Sequence, residues 1–290
     1  MQELVNLARK LLEEKQVGAI LGYERARRGV RPAFVTESAG CERLIFNHGC
    51  VHNLAAFVSK RRTHVSALGR LAVVIKPCDA RAVAGLIRES QIKREDVVLI
   101  GVRCGGVAKD PALTGPLSAE TVAPRCVGCE TREPGLADYV VGEQTAAPAG
   151  SPGRHQQISE IEAMKPEERL ALWTGLFSRC TRCHACRQVC PMCFCERCVA
   201  EKTQPAWIES SPHPRSNFAW NITRALHLAG RCVGCGECER ACPSQIPLGL
   251  LNRKVARIVL DRYGYTVSDD PSKQTPVGTY QLDDGQEFIE

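Results

Sequence analysis

The sequence is poor in aromatic residues and contains no long hydrophobic run. Aromatic side chains make up 5% of the 290 residues, and methionine occurs 3 times. A transmembrane helix needs about 20 consecutive apolar residues, so we expect none here. The first residues, MQELVNLARKLLEEKQ, also lack the apolar core of a secretory signal. These absences predict a cytoplasmic protein.

Cysteine, by contrast, is abundant, with 17 residues in the chain. Disulfides are rare in the reducing cytoplasm, so this number indicates metal binding. The formal net charge of +6 does not indicate a nucleic-acid partner, because iron–sulfur clusters bound to thiolates would add negative charge that offsets it. The basic runs at 25–31 and 59–64 are expected to be solvated surface.

Two runs of cysteines share one spacing. Each reads C-x2-C-x2-C-x3-C-P, first from Cys180 to Pro191 and again from Cys232 to Pro243. In this motif three cysteines bind one 4Fe–4S cluster and the fourth crosses to the other cluster. Zinc sites use paired C-x2-C knuckles and need neither the third cysteine nor the Cys-Pro, which disfavours a zinc-stabilised nucleic-acid module. The sequence predicts one cluster bound by Cys180, Cys183, Cys186 and Cys242, and another bound by Cys232, Cys235, Cys238 and Cys190.

The segment between the two runs is long enough to hold a helix. It spans residues 191–231, and the pattern predicts a helix that begins at Ser216. A compact β-hairpin ferredoxin would leave less room. With further helices predicted at 166–178 and 248–263, this region resembles the α-helical ferredoxin module of succinate dehydrogenase iron–sulfur subunits and heterodisulfide-reductase-type subunits.

Upstream of the cysteine runs, the sequence has the pattern of an α/β domain. LAVVIKP (71–77) and VVLIGVR (97–103) are buried-strand patterns, and residues 79–90 between them have helical spacing with Asp79 as the expected cap. This unit predicts a small parallel sheet covered by helices. Residues 142–157, rich in Gly, Pro and Ala, predict a linker. We therefore predict an α/β domain over 1–145, a linker over 146–164, an α-helical dicluster ferredoxin domain over 165–265 and an exposed C-terminal arm over 266–290.

Two cysteines of the α/β domain are placed where such sheets bind ligands, and two more form a pair further along the chain. Cys78 directly follows the first strand pattern, Cys104 ends the second, and Cys126 and Cys129 form a C-x2-C pair. Carboxyl ends of parallel strands meet at one edge of a sheet, so these thiols are able to converge on a third 4Fe–4S cluster. The alternative is core packing, because a free cysteine packs like a small hydrophobic residue.

The same segment resembles a known family. VIKPCDARAVAGLIRESQIKREDVVLIGVRCGG, followed by CVGCETREPGLADYVVGE, is similar to the β-subunit family of coenzyme F-420 (deazaflavin) hydrogenases and dehydrogenases over about residues 40–145. The resemblance implies a 4Fe–4S cluster bound by Cys78, Cys104, Cys126 and Cys129. Members of the family also bind FAD. Here FAD is the less favoured cofactor, because GVRCGG lacks the G-x-G-x-x-G spacing.

Three further thiols, Cys193, Cys195 and Cys198, stand close together in CFCERC. One interpretation is a fourth metal site, completed by a ligand from elsewhere in the fold. The other is that the three lie beside the clusters without binding metal. Candidates for the missing ligand are Cys41, Cys50, His184 and His213.

No nucleophile with an activating base stands out, so we assign no catalytic residue. A row of redox centres in one polypeptide predicts an electron-transfer subunit of a larger cytoplasmic redox complex in an anaerobic organism. The resemblances imply a heterodisulfide-reductase-like flavoprotein, a formate dehydrogenase or a hydrogenase as partner. The alternative is a flavin-containing β subunit that oxidises or reduces coenzyme F-420.

Overall fold

The structure is a computed structural model that describes residues 1–59, 65, 67–113, 115–127, 129, 131–143, 156–280 and 282. Residues 146–155 of the predicted linker lie outside this described part. So do residue 281 and residues 283–290 of the predicted C-terminal arm. No helix in the described part of the chain is long and apolar enough to cross a membrane.

Five strands in the amino-terminal part of the described chain form one sheet: β1 (Ala19–Arg25), β2 (Val30–Val35), β3 (Leu71–Ile75), β4 (Val97–Val102) and β5 (Tyr139–Val141). Their order is β2-β1-β3-β4-β5. The pair β1–β2 is antiparallel, and the other neighbouring pairs are parallel. Every residue of β3 and β4 is buried, and therefore both strands are unbroken apolar runs in the sequence. The predicted parallel sheet is confirmed.

Helices α1 (Gln2–Glu13) and α2 (Pro77–Arg88) pack on this sheet. The prediction that Asp79 caps α2 is wrong. The helix begins at Pro77, whose fixed φ suits the first helical position, and Asp79 lies in the first turn. Its carboxylate accepts the backbone N–H of Lys76 at 3.0 Å, so Asp79 still satisfies a donor at the start of the helix.

The carboxyl-terminal part is helical, as predicted. Its helices within the described residues are α3 (Gln156–Glu162), α4 (Pro166–Ser178), α5 (Ala185–Gln188), α6 (Pro214–His227), α7 (Glu237–Arg240) and α8 (Leu248–Tyr263). The predicted start of α6 at Ser216 is wrong by two residues, because Pro214 occupies the first turn and His213 precedes it. Gly264 ends α8 in the left-handed conformation expected of a C-terminal glycine.

Two segments expected to be irregular or exposed are in fact packed. Helix α3 lies within the predicted linker and contacts α8 through an ion pair between Glu162 and Lys254. Residues that follow α8 return to the α/β part, where the carboxylate of Asp269 accepts the backbone N–H of Gly135 at 2.8 Å. The predicted arm is therefore partly buried around Asp269, whereas most of residues 272–280 are exposed.

The α/β part and the helical part share one apolar core. Met192, Leu228 and Val233, from the neighbourhood of the cysteine runs, pack in the same buried cluster as the sheet. A second buried cluster lies inside the helical part around Phe177 and Trp220. The shared core fixes the cysteine runs relative to the carboxyl edge of the sheet.

Candidate metal centres

A cavity at the carboxyl edge of the sheet is lined by four thiols. Cys78 lies in the first turn of α2, directly after β3, and Cys104 follows β4. The pair from the C-x2-C segment completes the group, which we call the α/β site: Cys78, Cys104, Cys126 and Cys129. The structure thus brings together the four cysteines predicted for the third cluster.

The α/β site provides an N–H donor to sulfur, but its burial disfavours negative charge on the thiols. The backbone N–H of Val107 donates to Sγ of Cys126 at 3.4 Å. Burial raises the pKa of the thiols of Cys78 and Cys104, so thiolates there require compensating positive charge. Basic side chains that line the site supply part of this charge: Lys76, Arg81, Arg125 and Arg132.

A buried ionic network fixes the helix start that carries Cys78. The ammonium of Lys76 lies 2.9 Å from the carboxylate of Asp79 and donates to the carbonyl of His52 at 2.6 Å. The hydroxyl of Tyr23 is a further partner of Lys76. Because a buried charge must be paired and hydrogen-bonded, this network holds the chain at the end of β3 in one conformation.

A second cavity is lined by one cysteine of the first run and three of the second run. We call this group the second ferredoxin site: Cys190, Cys232, Cys235 and Cys238. The side-chain amide of Asn252 lies 3.7 Å from Sγ of Cys238 as a donor. Burial raises the pKa of Cys238 to about 12. A hydrogen bond from Cys193 lowers the pKa of Cys190 to about 6.

The remaining four cysteines of the repeat form the first ferredoxin site: Cys180, Cys183, Cys186 and Cys242. Burial raises the pKa of Cys186, and the three other thiols act on it in the same direction. The backbone N–H of Ile246 donates to Sγ of Cys242 at 3.5 Å. Cys183 is exposed, so this site reaches the protein surface.

The two cysteine runs repeat in backbone conformation as well as in sequence. Arg182 and Gly234 occupy equivalent positions and are both left-handed, with φ of 58° and 69°. His184 and Gly236 are the next equivalent pair, with φ of 57° and 66°. Each run then enters a one-turn helix that carries its third cysteine. These turns direct successive cysteines toward the same space.

Arg224 lies between the two ferredoxin sites. Its guanidinium donates to the carbonyl of Cys186 at 3.1 Å, and its charge interacts with the thiols of Cys190 and Cys238. Its Nε is buried and has no hydrogen-bond partner among the described residues. A buried donor needs an acceptor, and the sulfur atoms of an iron–sulfur cluster accept such bonds. The residues present therefore fit clusters at these sites.

The α/β site and the second ferredoxin site share one wall. Gly234 and Cys235 line both cavities. Arg125, which precedes Cys126, also lies at this wall, where its guanidinium donates to the carbonyl of Val51 at 2.7 Å. The wall places the thiols of the α/β part next to those of the helical part.

Glu237 neutralises charge at this wall. Its carboxylate lies 3.8 Å from Arg125 and 2.8 Å from Arg240. Burial raises the pKa of Glu237, but hydrogen bonds from His52 and Arg240 and the charge of Arg125 outweigh it and lower the pKa to about 2. Sequence analysis missed Arg125, Glu237 and Arg224. None of the three left a signal in the sequence, because each makes contacts with residues distant in the chain.

The thiols of CFCERC do not meet in the structure. Cys193 contacts Cys190, Cys195 is exposed, and Cys198 packs against the second apolar cluster. Within the described residues, no three side chains of His, Cys, Asp or Glu converge closely enough to bind a single metal ion, at CFCERC or at the three sites above, where a 4Fe–4S cluster would instead take one cysteine per iron atom.

The candidates for the missing ligand of a fourth site lie elsewhere. Cys41 and Cys50 are buried in the α/β core. The ring of His184 packs edge-on against Trp220 with centroids 4.8 Å apart, and Nδ1 of His213 accepts the backbone N–H of Arg215 at the start of α6. A fourth metal site stays a prediction from the sequence.

Comparison with known proteins agrees with this geometry. Residues 179–247 match the family model of the 4Fe-4S dicluster domain. The fold and the thiol-lined sites therefore define an iron–sulfur protein with a helical dicluster ferredoxin region.

Nearly the whole chain is also similar to two curated proteins. It is 24% identical to the F-420-dependent formate dehydrogenase subunit beta of Methanocaldococcus jannaschii, over 92% of this chain and 91% of that protein. It is 22% identical to the F-420-dependent formate dehydrogenase 1 subunit beta of Methanococcus maripaludis, over 85% of this chain and 84% of that protein. The predicted resemblance to β subunits of F-420-linked enzymes is thereby confirmed.

Proposed function

We propose that this chain is the iron–sulfur electron-transfer subunit of a multi-subunit redox complex and relays single electrons between partner subunits. The observation that carries the proposal is the wall of Gly234 and Cys235 common to the α/β site and the second ferredoxin site. Arg224 in turn donates a hydrogen bond to Cys186 of the first ferredoxin site, and its charge acts on thiols of the second. Groups of thiols in one continuous row suit stepwise electron transfer.

In this proposal, the cysteines of the α/β site and of the two ferredoxin sites each bind one 4Fe–4S cluster. Such a cluster, when bound, accepts and releases one electron. The chain holds the sulfur ligands in position and supplies N–H donors to them, from Val107 to Cys126 and from Asn252 to Cys238. Hydrogen bonds and burial of this kind tune reduction potentials.

We favour a formate dehydrogenase as the partner, because both relatives carry that enzyme in their names. A heterodisulfide-reductase-like flavoprotein and a hydrogenase are the other partners that the sequence implies. The proposed setting is the cytoplasm of an anaerobic organism, since the exposed Cys183 would leave a cluster at the first ferredoxin site open to oxygen.

The second candidate function is a catalytic β subunit that holds a flavin and exchanges reducing equivalents with coenzyme F-420. The names of both relatives favour it, because each is called F-420-dependent. Flavin released by acid from anaerobically purified protein separates the two functions. About one flavin per chain supports the catalytic subunit, and a brown protein that releases none supports the relay.

Iron and acid-labile sulfide per chain, with EPR of the reduced protein, test the number of clusters. Each 4Fe–4S cluster contributes about 4 iron atoms, so three clusters give about 12. A content of about 16 would indicate a fourth cluster that includes the CFCERC thiols. A content of about 8 would contradict a cluster at the α/β site.

A pair of variants tests whether the α/β site is a separate centre. We propose residues 1–145 and 165–265 as two cluster-binding domains. Cys126→Ala should remove about 4 iron atoms per chain and leave the ferredoxin EPR signals in place. Cys41→Ala, which changes a buried thiol outside the sites, should retain all the iron. Loss of the ferredoxin signals in Cys126→Ala would contradict separate domains.

A further inference from the structure

The buried face of α6 reaches into the first cysteine run. Asn217, Asn221 and Arg224 lie on one stripe of this helix and are almost fully buried. Asn217 donates to the carbonyl of Cys180 at 2.8 Å, and Arg224 donates to the carbonyl of Cys186 at 3.1 Å. The stripe therefore carries a full positive charge into the interior beside the thiols.

The charge of Arg224 is not neutralised by a carboxylate. Among the described residues it forms no salt bridge with Asp or Glu, and its Nε has no acceptor. The groups that surround its charge are the thiols of Cys190, Cys193, Cys238 and Cys186. Cys186 belongs to the first ferredoxin site and Cys190 and Cys238 belong to the second, so a single cation acts on both.

Two other buried arginines of the region provide a comparison. Arg187 forms an ion pair with Glu201, so its charge is offset. Arg182 has no carboxylate partner among the described residues, but its charge interacts with Cys180, Cys198 and Cys186, on the side of the first ferredoxin site. Arg224 alone of the three combines a charge that has no carboxylate partner among the described residues with an electrostatic effect on thiols of both sites.

We propose that Arg224 is a potential-setting residue that raises the reduction potentials of the clusters at both ferredoxin sites together. The proposal rests on the relay function above. Reduction of a cluster adds one negative charge, and a fixed cation in a poorly screened interior stabilises the reduced form. With clusters bound, an electron passing from the α/β site to the second ferredoxin site, past the wall at Cys235, would oxidise the donor cluster and reduce its neighbour by one electron, with no bond or proton change.

EPR-monitored redox titration of the anaerobically purified full chain tests this role. In Arg224→Met, the ratio of reduced to oxidised cluster at a fixed potential should fall about tenfold at both ferredoxin sites, equivalent to about 59 mV for a one-electron couple. The cluster at the α/β site should keep its potential. Arg224→Lys keeps the charge and should stay close to the wild type.

Arg182→Met is the matched control, because it removes a buried charge beside one site. Its shift should be confined to the cluster of the first ferredoxin site. Arg224→Gln provides a second neutral variant that retains an N–H donor, and it should lower both potentials as Arg224→Met does.

Several outcomes would overturn the proposal. Full iron content with unchanged ferredoxin reduction potentials in Arg224→Met would overturn it. Reduction potentials in Arg224→Lys that shift as far as those of the neutral variants would overturn it too. Loss of ferredoxin iron in both neutral variants would identify Arg224 as a structural support and reject it as a potential-setting residue. The wild-type iron content and EPR signals test the relay function separately, so the two failures are distinguishable.

Discussion

Nε of Arg231 donates to Oε1 of Glu89 at 2.6 Å, and a second nitrogen of the same guanidinium reaches the other carboxylate oxygen. Glu89 ends α2, the helix that begins beside Cys78, and Arg231 directly precedes Cys232. A bidentate arginine–carboxylate pair fixes the relative orientation of the two side chains as well as their distance. This pair therefore holds the second cysteine run in register with the α/β part.

Glu89→Gln should weaken that connection. The pair is partly exposed, so we expect a loss of about 1 kcal/mol in the free energy of unfolding. The measurement is the urea midpoint of the cluster-loaded protein, followed by circular dichroism under anaerobic conditions. Glu95→Gln, which changes an exposed carboxylate outside this contact, is the control. Equal midpoints for the two variants would show that the pair contributes nothing.

Cys183 and Cys195 provide a test of ligand assignment, because both thiols are exposed. Under the proposed assignment Cys183 is bound to iron and Cys195 is not. Brief alkylation of the native protein, read by mass spectrometry, should label Cys195 and leave Cys183 unmodified until the iron is removed. Cys41 and Cys50 should resist labelling until unfolding, because both are buried and burial raises the pKa of each thiol. Equal labelling of Cys183 and Cys195 in iron-loaded protein would contradict the assignment.

Alanine substitutions at Gly236 and Gly264 distinguish the effect of left-handed backbone strain from the effect of steric crowding. Both glycines are left-handed, with φ of 66° and 60°. A Cβ at Gly236 would lie 2.8 Å from Cδ of Arg125, whereas nothing lies within 4 Å of a Cβ at Gly264. Both alanine variants carry about 1–2 kcal/mol of left-handed strain, and Gly236→Ala should lose about 1–3 kcal/mol more from overpacking. Denaturation midpoints of the two variants measure the difference, and matching midpoints would rule out a tight contact at the shared wall.

Tyr265 should make stability fall at alkaline pH. Burial raises the pKa of its phenol above the ordinary value of 10.0, so the folded state favours the protonated form. The contribution of Tyr265 to the free energy of unfolding is therefore complete below about pH 10. It is lost as the pH rises through the raised pKa of the folded state. Tyr265→Phe should lose less stability than the wild type over this range, and Tyr280→Phe, whose ring is exposed, should follow the wild type. If the free energy of unfolding fell equally with rising pH in Tyr265→Phe and in the wild type, this linkage would be refuted.

The parts of the fold that the sequence predicts are those set by local pattern. Strands β3 and β4 are buried on both faces, so an apolar run identifies each. Strand β2 was not predicted, because Arg31 and Pro32 interrupt its apolar pattern, and β5 is only three residues long. Helix α3 has a polar sequence, and its contact with Lys254 of α8 depends on the tertiary fold.

The candidate sites likewise have parts that local sequence pattern predicts and parts that depend on the tertiary fold. Regular spacing predicts the grouping of the eight cysteines of the two runs, because each turn of the motif repeats the same local geometry. The roles of Arg125 and Arg224 were not predictable, since each depends on groups that are distant in sequence. Arg224 donates to Cys186, 38 positions away, and Arg125 donates to Val51, 74 positions away.

The second ferredoxin site is lined by cysteines of both runs, and this has a consequence for biosynthesis. Its wall takes Cys190 from the first run and residues as far along the chain as Arg253, so it does not exist until the ribosome has made the chain up to that residue. The thiols of the α/β site are all available once Cys129 has emerged. At about 5–20 residues per second, the interval between these two points is about 6–25 seconds. From the synthesis of Cys190 to that of Cys232, the thiols of the first run stand without their partners from the second, and a cell that makes this protein must protect them from oxidation.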